Sequence, residues 1–163
     1  MRWAFATVER LTGVDRSRQV TAYWVALCHG GTHWIMGTLY ILVPFVSEEL
    51  GLSYVEAGAV FSAMAVASFA VNIGSGALVD LTGRRVVVLG FGLAGCAIAM
   101  LGIGLSPSLL GLTVGAIIIG GANNLWHPAA FSFLSGRFPS NRGFAISVHG
   151  MGANIGDALG PVV

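Results

Sequence analysis

The chain has 163 residues, of which 55% are hydrophobic and only 9% are charged. A soluble domain carries about 25% charged residues, and so few charges cannot form the polar surface that a soluble fold of this size needs. A disordered chain is excluded as well, because disordered segments are polar and poor in aromatic residues. The net charge of +1 and the lack of a basic run argue against a nucleic-acid partner. The composition therefore predicts a polytopic membrane protein.

Five stretches are apolar enough, and about long enough, to cross a bilayer, which takes about 20 residues. They are residues 20–46, 54–79, 86–105, 109–135 and 143–163, and are called spans one to five below. Backbone groups in lipid must form their hydrogen bonds within the segment, so each span is expected to be a helix and the protein to be all-α. Residues 1–19 form a separate N-terminal lead ahead of this transmembrane domain.

All basic residues of the chain are arginines, and they fall on one side of the five-span arrangement. They precede span one, or lie between spans two and three or between spans four and five: Arg2, Arg10, Arg16, Arg18, Arg84, Arg85, Arg137 and Arg142. Basic residues are concentrated in cytoplasmic loops. We therefore expect a multi-pass protein of the plasma (inner) membrane, with its N-terminal lead in the cytoplasm as an interfacial helix.

Polar side chains within span one form the first candidate site. Polar groups in the hydrocarbon are costly and usually face a cavity or a partner helix. His29 and His33 share one helical face, and Tyr40 lies two turns further along. The histidine pair is either a substrate or proton site, since histidine titrates near neutral pH, or is satisfied by a neighbouring helix. No metal site is expected, because the pair lacks a third ligand and an accompanying carboxylate.

Span four carries a second polar group, composed of Asn123, Asn124 and His127 directly before Pro128. Pro128 deprives the carbonyl of Asn124 of its hydrogen bond and is expected to kink or loosen the helix there. A broken helix beside polar groups is typical of a transport site. Interhelical hydrogen bonding alone is the alternative.

Span five contains His149, Asn154 and Asp157. Asp157 is the only carboxylate deep inside a span, so we expect it to be protonated or paired with a histidine or asparagine. A role in proton coupling and an ordinary position near the outer mouth both remain open. The same span has a ridge of glycines at every fourth position, followed by a proline: Gly152, Gly156, Gly160 and Pro161. This ridge is expected to pack closely against another helix.

The turn after span two, residues 76–85, reads GALVDLTGRR. It resembles the motif between helices two and three of the major facilitator superfamily, with matches at Gly76, Leu78, Asp80, Gly83, Arg84 and Arg85. Leu81 departs from that motif, in which a basic residue is usual. Residues 127–130, 142–150 and 152–161 are similar to the fosmidomycin-resistance-like branch, and the last of these runs also resembles the helix-five motif of drug/proton antiporters.

This resemblance implies a secondary transporter that exports a small drug-like or anionic compound in exchange for protons by alternating access. Helices one, two, four and five would line a cavity, and Asp80 with the following arginines would form a cytoplasmic latch. No cofactor is implied beyond the proton gradient, which supplies the coupling ion. No enzymatic motif is present, so an enzyme is not expected. An uptake permease of the same superfamily and a non-transporting membrane scaffold or assembly subunit remain alternatives.

Members of this superfamily have twelve helices, and the resemblance places the present chain at helices one to five of the N-terminal six-helix half. The chain is therefore expected to be an N-terminal fragment that does not transport alone. Its expected partners are the lipid bilayer, a small-molecule substrate, helix six and the C-terminal half.

Overall fold

The computed structural model describes residues 2–106 and 108–162. These residues form six α-helices and a terminal 3₁₀ turn, without a strand among them. The helices are α1 (Arg2–Thr12), α2 (Arg16–Glu49), α3 (Tyr54–Thr82), α4 (Arg85–Leu105), α5 (Leu109–Arg137) and α6 (Arg142–Leu159), and the turn is Gly160–Val162.

Helices α2 to α6 occupy the five predicted spans, with differences at their ends. Residues 16–19 of the lead belong to α2, and most of the remaining lead forms α1. Helix α6 ends at Leu159 rather than continuing to the end of the predicted span, because Pro161 has no N–H to continue the α-helical hydrogen bonds. The last residue of that span, Val163, lies outside the described residues.

Three helices among the described residues, α3, α4 and α5, are long and apolar enough to cross a membrane by length and composition. Helices α2 and α6 have 34 and 18 residues, but they contain more polar side chains. Three of the four histidines and Asp157 lie on α2 and α6. The two helices that are less apolar are therefore the ones that carry most of the candidate site.

The helix bundle is organised around two central helices, α2 and α5. Helices α3 and α4 pack mainly on α5, whereas α6 packs mainly on α2. Helix α2 contacts α4 and α5 less extensively, and α6 touches α5 along a short stretch. The candidate site lies where α2, α5 and α6 approach one another.

The arginine-bearing connections lie at one end of this bundle. A buried apolar cluster joins the segments that flank them, and it includes Val14, Val79, Val88, Phe138 and Ala145. Val14 precedes α2, Val79 and Val88 flank the turn between α3 and α4, and the last two flank the turn between α5 and α6. The fold therefore brings together the basic segments that are separate in the sequence.

Glycine is needed at the turn between α3 and α4. Gly83 ends α3 in the left-handed backbone conformation, with φ of 62°, and its N–H donates to the carbonyl of Val79 at 2.9 Å. Residues with a Cβ rarely adopt this conformation, so glycine is the ordinary C-terminal cap of a helix. The backbone conformation therefore explains why the motif has a glycine at position 83.

Helix α1 is tied to the start of α2 by a buried glutamine. Gln19 is fully buried, and its Nε2 donates to the carbonyl oxygens of Phe5 at 3.0 Å and Val14 at 2.7 Å. At the other end of α1, Nδ2 of Asn141 donates to the carbonyl oxygen of Thr12 at 2.7 Å. Helix α1 is thereby attached to the arginine-bearing end of the bundle.

We expect Gln19→Leu to loosen α1 while leaving the other helices in place. The substitution keeps a side chain of similar size but leaves two carbonyl oxygens without their donor, at a cost of about 1–3 kcal/mol. Hydrogen–deuterium exchange should therefore become faster within α1. Thr21→Val is the matched control, because the Thr21 hydroxyl donates only within its own helix, to the carbonyl of Ser17. Equal exchange in both variants would contradict this role for Gln19.

Candidate functional site

All four histidines of the chain meet in one cluster at the junction of α2, α5 and α6. His29 stacks face to face on His149, with ring centroids 3.8 Å apart and an interplanar angle of 4°. The ring centroids of His33 and His127 lie 4.6 Å and 5.1 Å from that of His29, both in edge-on orientations. His29 is therefore the centre of the cluster.

A seam of small residues allows α6 to approach α2 closely enough for this stacking. A Cβ added at Gly152 would overlap the carbonyl oxygen of Ala26, and one added at Gly156 would overlap that of Gly30. One added at Gly30 would in turn lie 2.8 Å from the carbonyl oxygen of Gly152. The two backbones are thus in direct contact, as is typical where small residues recur every four positions on membrane helices.

The Nδ1 atoms of three of the rings contact oxygen acceptors. His29 Nδ1 lies 3.0 Å from the carbonyl oxygen of His149, and His127 Nδ1 lies 2.9 Å from that of Asn123. His33 Nδ1 lies 3.0 Å from Oδ1 of Asp157. Carbonyl and carboxylate oxygens can only accept, so each Nδ1 carries the proton in these contacts. The Nε2 atoms are left as the available ring nitrogens.

The Nε2 atoms of His29 and His127 face each other at 3.3 Å. Both rings hold a proton on Nδ1, so in their neutral forms each directs a lone pair at the other. Such a contact becomes favourable when a proton or another cation lies between the two nitrogens. The two facing nitrogens come from α2 and α5.

Burial differs strongly across the cluster. His29 and His149 are only 3% and 2% exposed, whereas the side chains of His33 and Asp157 are 17% and 57% exposed. The expected pairing of Asp157 with a histidine is therefore present, at His33. The cluster runs from a buried centre at His29 to an open side at Asp157.

The residues expected to form a cytoplasmic latch lie on the exposed surface of the arginine-bearing end. Asp80, Gly83, Arg84 and Arg85 are exposed, and Nε of Arg85 donates to the hydroxyl of Ser132 on α5 at 2.7 Å. Within the described part of the chain, Asp80 forms no ion pair with an arginine. Gly76 is half-buried, and an added Cβ there would meet nothing within 4 Å.

Comparison with known proteins identifies the family of the chain. The model of the Major Facilitator Superfamily matches residues 25–163, which include all four histidines of the cluster. The chain belongs to the major facilitator superfamily. The expectation of an all-α membrane protein with the major facilitator fold is confirmed.

The chain is also similar to a Bacillus subtilis (strain 168) protein described as the uncharacterized MFS-type transporter YfnC. The two are 21% identical over 145 residues, which cover 85% of this chain and 34% of that protein. The chain thus spans about a third of the length of this major facilitator relative. No solved structure matches the chain.

The asparagines of this major facilitator chain have separate environments. Asn123 is buried, with Nδ2 lying 3.7 Å from the sulfur of Met36 on α2. Nδ2 of Asn124 donates to the carbonyl oxygen of Gly120 in its own helix at 3.1 Å. Asn154 is exposed on α6. The backbone carbonyl of Asn123, through its contact with His127, is the asparagine group that belongs directly to the cluster.

Two further expectations for this major facilitator domain concern Pro128 and Tyr40. Pro128 lies inside α5, which continues as an α-helix on both sides of it, and the expected kink stays a prediction. Tyr40 is half exposed, and its ring stacks on Phe61 of α3 at 5.3 Å instead of joining the histidines.

Two aromatic residues contact the cluster without having been identified from the sequence. The ring of Trp126 lies parallel to that of His29, with centroids 6.3 Å apart, and Phe131 lies edge-on to His149 at 5.5 Å. Phe131 follows His127 by four residues and so shares its helical face. The four-residue spacing from His127 could therefore have predicted that Phe131 lies near the cluster. The contact of Trp126 with His29 could not be predicted in this way, because it depends on where α2 lies.

An apolar groove of about 490 Å³ runs along the outside of the seam between α2 and α6. Its lining includes Tyr23, Trp34, Met151 and Ile155, and it includes none of the histidines. The groove and the histidine cluster are therefore separate features of this major facilitator domain.

Proposed function

We propose that the chain is the N-terminal part of a secondary transporter that exports a small drug-like or anionic compound in exchange for protons by alternating access. The observation that carries this proposal is the histidine cluster, which joins three helices inside a major facilitator domain. The sequence similarity to the fosmidomycin-resistance-like branch and to drug/proton antiporters supports export over uptake. An uptake permease of the same superfamily is the nearest alternative.

The cluster provides a chemical basis for proton coupling. Ionisable groups within membrane helices mark ion and substrate paths, and histidine exchanges protons near neutral pH. The facing Nε2 atoms of His29 and His127 can share one proton, since each ring already holds its other proton against a carbonyl oxygen. The contact of His33 with Asp157 connects this position to the exposed side. In our proposal, protons enter and leave along this series of groups.

We further propose that the protein lies in the plasma (inner) membrane. Its arginine-bearing end would then face the cytoplasm. The concentration of arginines at that end supports it, because basic loops are retained on the cytoplasmic side. Asp80, Arg84 and Arg85 would then form the cytoplasmic latch. Their exposure leaves them free to pair with another part of a complete transporter.

The proposal is tested by measuring substrate-driven proton movement in vesicles that contain the longer transporter of which this chain forms part. Addition of the transported compound should cause proton movement that an uncoupler abolishes. Stable insertion of that protein with no flux of any tested compound would favour the membrane scaffold instead.

Within that assay, Asp80→Asn is expected to lower flux by roughly tenfold, which corresponds to about 1.4 kcal/mol of barrier height. The variant removes the negative charge of the latch while keeping the size of the side chain. Glu9→Gln is the matched control, because it also neutralises one carboxylate but lies on α1. Equal flux in the two variants would show that the latch assignment is wrong.

A further inference from the structure

We propose that His29, His33 and His127 bind a divalent transition-metal ion, of the class represented by Zn²⁺, through their Nε2 atoms. This site goes beyond the transport function and would exist whether or not the protein carries a proton-coupled substrate. The sequence predicted no metal site because the pair on α2 had neither a third ligand nor a carboxylate. The fold provides both, His127 from α5 and Asp157 from α6.

The distances between the three rings are close to those of a metal site. One ring nitrogen from each histidine lies within 4.8 Å of those of the other two. In a tetrahedral zinc site with Zn–N bonds of about 2.0–2.1 Å, the ligand nitrogens lie about 3.4 Å apart. The Nε2 atoms of His29 and His127, at 3.3 Å, already have that separation. The third ligand nitrogen, on His33, lies within 4.8 Å of the other two, so a small movement of that ring brings it to the separation of a tetrahedral site.

The hydrogen bonds of the rings provide an independent argument. Histidines that bind metals usually donate their other N–H to a carbonyl or carboxylate oxygen, which fixes the tautomer and the orientation of the ring. Each of the three Nδ1 atoms has such an acceptor: the carbonyls of His149 and Asn123, and the carboxylate of Asp157. All three Nε2 atoms are thus left with lone pairs.

These lone pairs lack other suitable partners. Nε2 of His33 is buried without a hydrogen-bond partner among the described residues. The Nε2 atoms of His29 and His127 have each other as neighbours, which is unfavourable for two lone pairs. A metal ion at the centre of the three would satisfy all of them. The buried polar groups therefore point to a ligand that accepts electron pairs.

The donor set determines the class of ion. Three imidazole nitrogens suit Zn²⁺ and neighbouring ions such as Co²⁺ and Ni²⁺, whereas Mg²⁺ and Ca²⁺ prefer oxygen ligands. The carboxylate of Asp157, behind His33, supplies negative charge that partly balances the ion. His149 stacks on His29 and holds that ring in position. Three protein ligands leave the fourth tetrahedral position open to water or an exchangeable ligand.

The test is a titration of the purified chain in detergent with Co²⁺, followed by displacement with Zn²⁺. Tetrahedral Co²⁺ has an intense visible absorption that octahedral Co²⁺ lacks, so the spectrum reports the geometry as well as binding. We expect one Co²⁺ per chain with the tetrahedral spectrum, displacement by Zn²⁺, and no displacement by Mg²⁺. The double variant Cys28→Ser, Cys96→Ser should behave identically, which excludes binding by the two free thiols.

His33→Ala and His127→Ala should each abolish the tetrahedral spectrum. Asp157→Asn keeps all three ligands and should weaken Zn²⁺ binding by roughly 10–100-fold, as is usual when the hydrogen-bond partner of a metal-bound histidine is changed. Circular dichroism and size-exclusion chromatography check that each variant is folded. The proposal is overturned if the unaltered chain binds no Co²⁺, if the bound Co²⁺ is octahedral, or if binding survives in folded His33→Ala and His127→Ala.

Discussion

Replacing Gly152 with leucine is expected to separate α6 from α2 and to lower the free energy of unfolding by about 3 kcal/mol, the upper part of the range for overpacked sites. An added Cβ would overlap three backbone atoms of Ala26. Backbone atoms cannot rotate away as the end of a long side chain can, so the helices themselves must move apart. This movement would also take His149 away from His29.

Gly150→Leu provides the matched control for this prediction. Gly150 is two residues away on the same helix, and an added Cβ there would meet nothing within 4 Å. Both variants change glycine to leucine in α6, so they differ mainly in the contact with α2. Thermal unfolding in detergent should show a much lower midpoint for Gly152→Leu only. Similar midpoints would mean that the seam does not hold α6 in place.

His127→Ala is expected to abolish the transport that we propose for the complete transporter. His127 is the α5 member of the facing Nε2 pair, and alanine leaves Nε2 of His29 without that neighbour across the interface between α2 and α5. The shared proton position of the proposed transport cycle would then no longer exist. The measurement is substrate-driven proton flux in vesicles, with the amount of inserted protein determined for each variant.

Ile118→Ala is a suitable control for this prediction, because Ile118 is an exposed apolar residue on the same helix. It should insert and transport normally. Full transport by His127→Ala would refute the proposed role of the cluster, although the superfamily assignment would stand. Repeating the assay with a chelator separates the two roles of His127, since proton coupling alone should survive removal of Zn²⁺.

Much of the secondary structure could be predicted because the signals are local. The apolar stretches and the charged turns between them indicate where the helices α2 to α6 lie, and the motif around Asp80 and Gly83 indicates the family. Helix ends were less predictable. The ends of α2 and α5 include Arg16 and Arg137, because charged residues continue a helix beyond the apolar stretch that reveals it.

The composition of the candidate site could be predicted in part. Polar residues stand out in an apolar chain, so all four histidines and Asp157 were identified as candidates. Their partners could not be assigned, because contacts between helices depend on how each helix is rotated and how closely it approaches its neighbour. Tyr40 illustrates the limit: it follows His33 by two turns, yet its ring packs on Phe61 of α3. Trp126 shows the converse, since only the position of α2 makes it a neighbour of His29.

The sequence by itself determined that this is an all-α membrane protein of the major facilitator superfamily, because composition, apolar stretches and motifs are properties of continuous segments. Only the tertiary structure decided that His29, His33 and His127 form one group, in which the Nε2 atoms of His29 and His127 face each other. These residues are up to 98 positions apart, and the contact of His29 with His127 depends on the relative placement of α2 and α5. Glycines 152 and 156 let α6 reach α2, and that approach brings Asp157 to His33. The physical reason is that hydrogen bonding within a helix is local, whereas a polar site between helices requires close contact of their backbones.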